Sequence, residues 1–345
     1  MKKNIAVLFG GCSDEHEISL KSASAVIRNI DKQKYNIIPI GISKEGECYY
    51  YSELSENIVN SSPENSRRYK ALFSPDRKDR GVYIKNDNIW DFIKIDAAFP
   101  VMHGKNGEDG TLQGLIELSG TPLIGCDTLC SALCMDKHKS HIIAEACGIR
   151  TPKACLIENS DDLNEAYNLL NKFGKAAVKP VKSGSSLGVN IIKVKSCLEY
   201  AVKEAFKYDT EVLIEEFIQG NEVGCAVIGN NNLIIGEVDE VELNGANFDF
   251  NEKYNTVNSE IYLPARVSSK KRQEIKNTAI KIYKALGCRG FARVDMFFTP
   301  ESEIVFNEVN TIPGFTENSR FPKMMQAAGY SMEKTVQSVI DTAKF

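Results

Sequence analysis

No stretch of the sequence approaches the roughly 18 uninterrupted apolar residues of a membrane-spanning helix, so the sequence offers no candidate for one. A basic stripe is missing too. Lys and Arg total 42 against 46 Asp and Glu, for a formal net charge of -4. The electrostatic term that drives nucleic-acid binding is therefore absent, and a small-molecule partner is expected. The ten cysteines contain no C-x-x-C pair of the zinc-ribbon type. Cys126, Cys130, Cys134 and His138 are spaced by four, but as one helical stripe their ends would lie roughly 18 Å apart, too far to share an ion. All ten are expected as reduced thiols, with the stripe reading as small packed side chains. Internal repeats and low-complexity tracts are absent as well. The opening "MKKNIAVLFGGC" has a basic start, but its apolar run of about seven residues is at the lower limit of a signal segment and "SDEHE" ends it. It reads as a first β-strand of a cytoplasmic protein.

Alternating strands and helices are present instead. "IAVLFGG", a helix "EISLKSASAVIRNI" and "YNIIPIGIS" form a βαβ opening. Residues 53 to 82 are polar and aperiodic and read as a surface excursion. A buried strand "IDAAFPVMHG", a helix "TLQGLIELSG" and a short strand "PLIG" close a first domain, 1–125. A second unit, 126–214, holds a helix over 128–147, a strand "KACLI", a helix "DDLNEAYNLLNKF" capped by Ser160 or Asp161, and strands around "AAVKPVKSGSSLGVNIIKV". The remainder, 215–345, reads as antiparallel strands with long helices at 268–286 and 322–343.

Two apolar strand patterns, "RGFARVDMFF" and "EIVFNEVN", are separated by the turn-forming "TPESE". With "PESE" as the loop, Asp295 lies opposite Glu308 and Arg293 opposite Asn310, and all four project from one face. Such a polar set on an apolar hairpin is either a salt-bridged surface or a binding site, and burying it without a partner is costly. Its hard oxygen ligands suit Mg2+, whose remaining positions go to water and phosphate. A second phosphate-type signal is "KPVKSGSSLGV", residues 179 to 189, behind a strand. In a P-loop the glycines precede the lysine; here Lys179 comes first.

Lys179 before a Gly/Ser flap, the late hairpin, and "NTIPGFTENSRFP" resemble the ATP-grasp fold. With "GGCSDEHEISL", "HGKNGEDGTLQG" and "SALCMDKHKS", the chain resembles the D-alanine:D-alanine ligase family over nearly its full length. The resemblance implies an α/β (α+β) architecture, an ATP-grasp fold preceded by a Rossmann-like N-terminal domain. It also implies an ATP-dependent carboxylate-amine ligase that proceeds through an acylphosphate. ATP would be bound by Lys137 and Lys179, by Ser185 and Ser186 on the flap, by Glu215, Glu216 and Ile218 near the adenine, by Glu222 at the ribose and by Asn307. Asp295, Glu308 and Asn310 would hold two Mg2+ ions, with Mn2+ as a substitute. Arg293 and the backbone N–H of Gly314 would stabilise the oxyanion. Glu15 would hold the first substrate's ammonium group and Ser319 the second substrate's carboxylate. Ser185, Lys253 and Tyr254 complete the catalytic set, the last two on a lid loop within 244–259. A homodimer is expected.

Several residues keep two readings. His103 is either a substrate-side group or a loop histidine bonded to backbone. Glu15 and Glu17 could be first-turn acids complementing a helix dipole, with a site role favoured for Glu15 alone. His16, His138 and His141 read as structural. A nucleotide-binding module without turnover is disfavoured, because Arg293 and every metal ligand are present. After Ser319 the housekeeping enzymes commonly carry Leu, whereas this chain has Arg320, a pattern that resembles the vancomycin-resistance ligases. Arg320, a counter-ion at Asp239 or Glu240 with Asp239 preferred, and Phe248 on the loop side point to D-alanine and D-serine as substrates. A second D-alanine is the alternative.

Overall fold

The computed structural model describes residues 1–52, 67–160, 162–243 and 259–345. Three sheets organise it. The first has seven strands, in the order Ile89–Lys94, Gly81–Asn86, Arg68–Phe73, Cys48–Tyr51, Tyr35–Ile42, Lys3–Gly10, Ala97–Pro100. Lys3–Gly10 pairs parallel with both of its neighbours, and Ile5 to Phe9 are all buried. A continuous apolar run is what a parallel strand covered on both faces requires. The chain then turns through Gly10 and Gly11, both at positive φ (88° and 99°), and enters the helix His16–Asn29. Glu15 is thereby set beyond the carboxyl end of a central parallel strand, where open α/β sheets bind ligands.

The second sheet runs Asn190–Ile192, Ala176–Pro180, Val212–Glu216, Ala154–Ile157. The third is antiparallel, Ser259–Tyr262, Asp239–Leu243, Asn221–Ile228, Phe291–Phe298, Ile304–Asn310, with Ile234–Ile235 pairing the Asn221–Ile228 strand. The fold class expected from the sequence is the one observed. Among the described residues, no helix is long and apolar enough to cross a membrane.

Four local readings are corrected. The polar excursion at 53–82 contains the strand Arg68–Phe73 and the start of Gly81–Asn86, while 53–66 and the lid-loop residues 244–258 lie outside the described residues. The helix expected over 128–147 is two, Thr128–Met135 and Lys137–Ala146, because Asp136 leaves the helical conformation (ψ 99°) and caps the second by accepting from Lys139 N at 2.9 Å. The helix expected over 322–343 is also two, Arg320–Ala327 and Met332–Ile340, interrupted by Gly329 at φ 92° and restarted by Ser331. The helix Asn164–Phe173 has Leu163 at its N-cap with no side-chain cap bond; Ser160 does not cap it and Asp161 lies outside the described residues.

The late hairpin pairs Asp295 with Glu308 and Arg293 with Asn310, as the sequence reading expects. Its turn does not follow that reading: Phe298 pairs with Ile304, one step off the expected register, and a bulge between Asp295 and Met296 restores it. Phe306 therefore shares the core face with Met296, and Glu308 shares the other face with Asp295.

The turn before Phe291–Phe298 tests how tightly the sheets are joined. Gly287 and Gly290 both have positive φ (70° and 69°), but a Cβ on Gly290 would lie 2.5 Å from Gly125 Cα, whereas one on Gly287 meets nothing within 4 Å. Gly290→Ala is expected to cost about 2–4 kcal/mol and Gly287→Ala about 1 kcal/mol. Urea unfolding midpoints of the two variants check this, and equal shifts would contradict it.

Candidate active site

Breaking the helix at Asp136 makes Lys137 the first residue of a new helix. Its N–H donates to Val181 O at 3.3 Å and its ammonium to Ser183 O at 2.5 Å. Lys179 enters from the Ala176–Pro180 strand, and its ammonium lies 2.5 Å from Glu215 on the adjacent strand. Both lysines line a cleft of about 470 Å³ between the second and third sheets. Ser186, Glu215, Glu216, Ile218, Glu222, Asn307 and Glu308 line the same cleft. Leu187, Val189, Ile191 and Phe297 supply apolar wall, so the cleft pairs a flat greasy section with a cationic end.

Beyond the cationic end lies the face of the hairpin. Arg293 grips Asp295 through Nε (2.8 Å to Oδ1) and a terminal nitrogen (2.7 Å to Oδ2), and Asn310 donates to Oδ2 at 2.9 Å. Glu308 stands 3.8 Å from the Lys137 ammonium. Arg320 forks onto Asp239 at 2.7 and 2.8 Å, donates to Glu222, and comes within 3.5 Å of Asp295. Glu240, the other candidate counter-ion, accepts instead from Arg266 and Asn221. Burial disfavours charge on Arg293 and Arg320, but the carboxylates around them outweigh it and raise both pKa values.

The donor chemistry of this face fits a hard divalent ion. Two carboxylates and an amide oxygen are the ligands Mg2+ takes, and the Glu308 carboxylate is on the cleft side and 20% exposed. Asp295 accepts three nitrogens from Arg293 and Asn310, yet a carboxylate offers about four lone-pair sites per pair of oxygens, and Oδ1 carries the lighter load.

The flap reaches the N-terminal sheet. Ser185 and Ser186 both adopt positive φ (52° and 59°), and the Ser185 hydroxyl donates to Glu15 Oε1 at 2.5 Å. Ser185 is thus drawn toward Glu15, while its neighbour Ser186 faces the cleft. His103 is 4% exposed, donating from Nδ1 to Ile312 O at 2.8 Å and accepting from Ser22 at Nε2, 3.2 Å away. Burial lowers its pKa, so it stands as a neutral ring with both nitrogens engaged. Ser319 closes a turn, its hydroxyl accepting from Thr316 N at 3.1 Å, 2.8 Å from where a Cβ on Gly314 would lie. Phe248, Lys253 and Tyr254 lie outside the described residues.

His141 was read from the sequence as structural, and Glu108 was not singled out. His141 is one turn beyond Lys137 on the same helix. Its Nε2 donates to Asn307 O at 2.7 Å, and Nδ1 lies 3.3 Å from Glu215 Oε1 without the alignment of a hydrogen bond. The i, i+4 spacing from Lys137 was the available signal. Glu108, inside the quoted "HGKNGEDGTLQG", accepts from Gly104 N at 2.9 Å and Ile312 N at 3.0 Å, clasping two loops. Burial, helped by the nearby Glu15, pushes its carboxyl up to about 8.

Residues 4–126 match the family model "D-ala D-ala ligase N-terminus" and 143–341 match "D-ala D-ala ligase C-terminus". The chain is 44% identical over 341 residues to the vancomycin/teicoplanin A-type resistance protein VanA of Enterococcus faecium, covering 97% of each. It is 41% identical over 348 residues to a D-alanine--D-alanine ligase of Caldicellulosiruptor bescii, covering 99% of this chain and 95% of that one. The crystal structure of the VanG D-Ala:D-Ser ligase from Enterococcus faecalis superposes with a TM-score of 0.92 at 48% identity, covering 99% of both chains.

Glu108 gives a pH test. Its folded pKa of about 8 exceeds the ordinary 4.5, so between these values the folded chain holds a proton that the unfolded chain has released. Its contribution to stability therefore falls as pH rises through that window, by up to ~1.4 kcal/mol per unit. Glu108→Gln should flatten the fall in unfolding free energy between pH 5 and 8. An unchanged slope would show that Glu108 is ionised in the fold.

Proposed function

The chain belongs to the D-alanine:D-alanine ligase family and is an ATP-dependent D-alanine–D-X ligase of the vancomycin-resistance type, and from that premise we propose that X is D-serine. The product would be a D-alanyl-D-serine terminus for a modified peptidoglycan precursor. The observation that carries the reading is the buried Arg320, forked on Asp239 immediately after Ser319. D-Serine differs from D-alanine by one hydroxyl, and an apolar pocket cannot strongly prefer the hydroxyl form. A pocket wall holding charged groups can, because the analogue without the hydroxyl leaves a buried polar group underused. Similarity to the D-Ala:D-Ser ligase structure supports the same choice.

A carboxylate is a poor electrophile, and transfer of the ATP γ-phosphoryl to the first D-alanine makes an acylphosphate that the second amine can attack. In this proposal Lys137 and Lys179 hold the phosphates, Ser185 and Ser186 bring the flap over them, and Glu215, Glu216, Ile218, Glu222 and Asn307 receive the nucleoside. Asp295, Glu308 and Asn310 would hold two Mg2+ ions, whose chemistry is to neutralise charge on the phosphates. Glu15 binds the first ammonium group and His103 keeps that wall in place. Arg293 and the Gly314 N–H face the oxyanion. Ser319 receives the second carboxylate, Phe248 narrows the pocket, and Lys253 and Tyr254 close over it. Two copies of the chain would form the working enzyme.

The alternative is a D-alanine:D-alanine ligase, favoured by the 41% identity to the Caldicellulosiruptor bescii protein. The product ratio from a mixture of D-alanine, D-serine and D-lactate separates these readings. D-Alanyl-D-serine should predominate, and Arg320→Leu should move the ratio toward D-alanyl-D-alanine by about tenfold or more. Predominant D-alanyl-D-alanine or depsipeptide from the unaltered chain would refute the serine assignment. Glu308→Gln should lower turnover at least ~100-fold with the fold intact by circular dichroism; a variant retaining most of its activity would remove Glu308 from the metal site.

A further inference from the structure

The cysteines read from the sequence as a passive helical stripe come together differently in three dimensions. Cys126 precedes the Thr128–Met135 helix, Cys130 and Cys134 lie on it, and Cys288 arrives from the turn before Phe291–Phe298. His138 falls in the next helix, beyond the break at Asp136. The sulfurs of Cys126, Cys130 and Cys288 all lie within 4.8 Å of one another, and Cys134 Sγ is 3.8 Å from Cys130 Sγ and 3.9 Å from Cys288 Sγ. Five of the six edges of an S4 tetrahedron are therefore already formed at 4.8 Å or less. A zinc–sulfur bond of about 2.3 Å requires edges of about 3.8 Å.

We propose that Cys126, Cys130, Cys134 and Cys288 bind one Zn2+ ion, at a site separate from the proposed Mg2+ ligands and independent of the identity of the second substrate. Soft thiolates select a thiophilic ion over Mg2+, and sulfurs this close leave no space for the inorganic sulfide of an iron–sulfur cluster. Binding is an exchange without redox change: four S–H bonds break, four Zn–S bonds form, and four protons leave to solvent. Zinc binds the thiolates, so loading grows easier as pH rises. The ion would fasten the entry to the Thr128–Met135 helix onto the third sheet. Cys126 already lies 3.2 Å from Arg289 O there, and Asp127 pairs with Arg289 at 3.2 Å.

The test uses the full chain, produced in zinc-supplemented medium and purified reduced, without chelator and with Mg2+ present. One zinc per chain by elemental analysis is expected, with sulfur scatterers at about 2.3 Å in the zinc X-ray absorption spectrum. The double variant Cys130→Ser/Cys288→Ser should lose zinc at least ~10-fold, while Cys225→Ser should retain it. Less than about half an equivalent in the unaltered chain, or a shell of only nitrogen and oxygen, would overturn the proposal. Undiminished zinc in the double variant would also overturn it. Should the double variant fail to fold, the absorption spectrum of the unaltered chain decides alone.

Discussion

Charge buried in the third sheet must be matched within the protein, and that constraint fixes the arrangement around it. Arg293 and Arg320 share a closed space with Asp295, Asp239 and Glu222, each guanidinium touching at least one carboxylate. Removing Asp295 would leave Arg293 without its hydrogen-bonded carboxylate, and removing Arg320 would leave Asp239 and Glu222 without their guanidinium, either of which is far costlier than losing an exposed pair. The network joins four elements: the strands at Asn221–Ile228, Asp239–Leu243 and Phe291–Phe298, and the helix Arg320–Ala327. Its hydrogen bonds are directional, so they set the orientation of Arg320 relative to Ser319 as well as its position.

The cleft depends on a second kind of matching, between the second and third sheets that wall it. Lys137 touches the flap through Ser183 O and the hairpin through Glu308, so one ammonium spans both walls. Ser185 carries the flap across to Glu15 beside the first sheet. The cationic end of the cleft is thus bounded by the second and third sheets and by the helix that starts at Lys137, and a ligand bound there senses their relative placement.

The sequence made the periodic parts of this protein legible, because apolar spacing and strand alternation are local properties. Pairing of Asp295 with Glu308 followed from counting across a turn, and the count reached the correct partners although the turn itself was misread. Helix interruptions at Asp136 and Gly329 carried local signals, N-cap types at Asp136 and Ser331 and a C-terminal glycine, but the apolar spacing on either side was read through them. Long-range encounters were invisible. The spacing of His141 from Lys137 hinted at the site but not at its partner Asn307, and nothing near Cys126 announced Cys288. Beyond Lys179 and Glu308, the cleft residues were collected through a resemblance carried by ordered motifs, because their contacts span many residues of chain.

The bulge opposite Asp295 has a consequence for how the hairpin finds its alignment. Between Phe306 and Glu308 the chain spends an extra residue, Asn307, and its carbonyl is held by His141 from the Lys137–Ala146 helix packed against the strand. Sliding the Ile304–Asn310 strand by one step would turn Phe306 out of the core and Glu308 into it. It would also pull Asn307 off the imidazole. The bulge therefore acts as an indexing pin: variation in length at the 299–303 tip is absorbed on one side of it, while the polar face on the other side keeps its alignment.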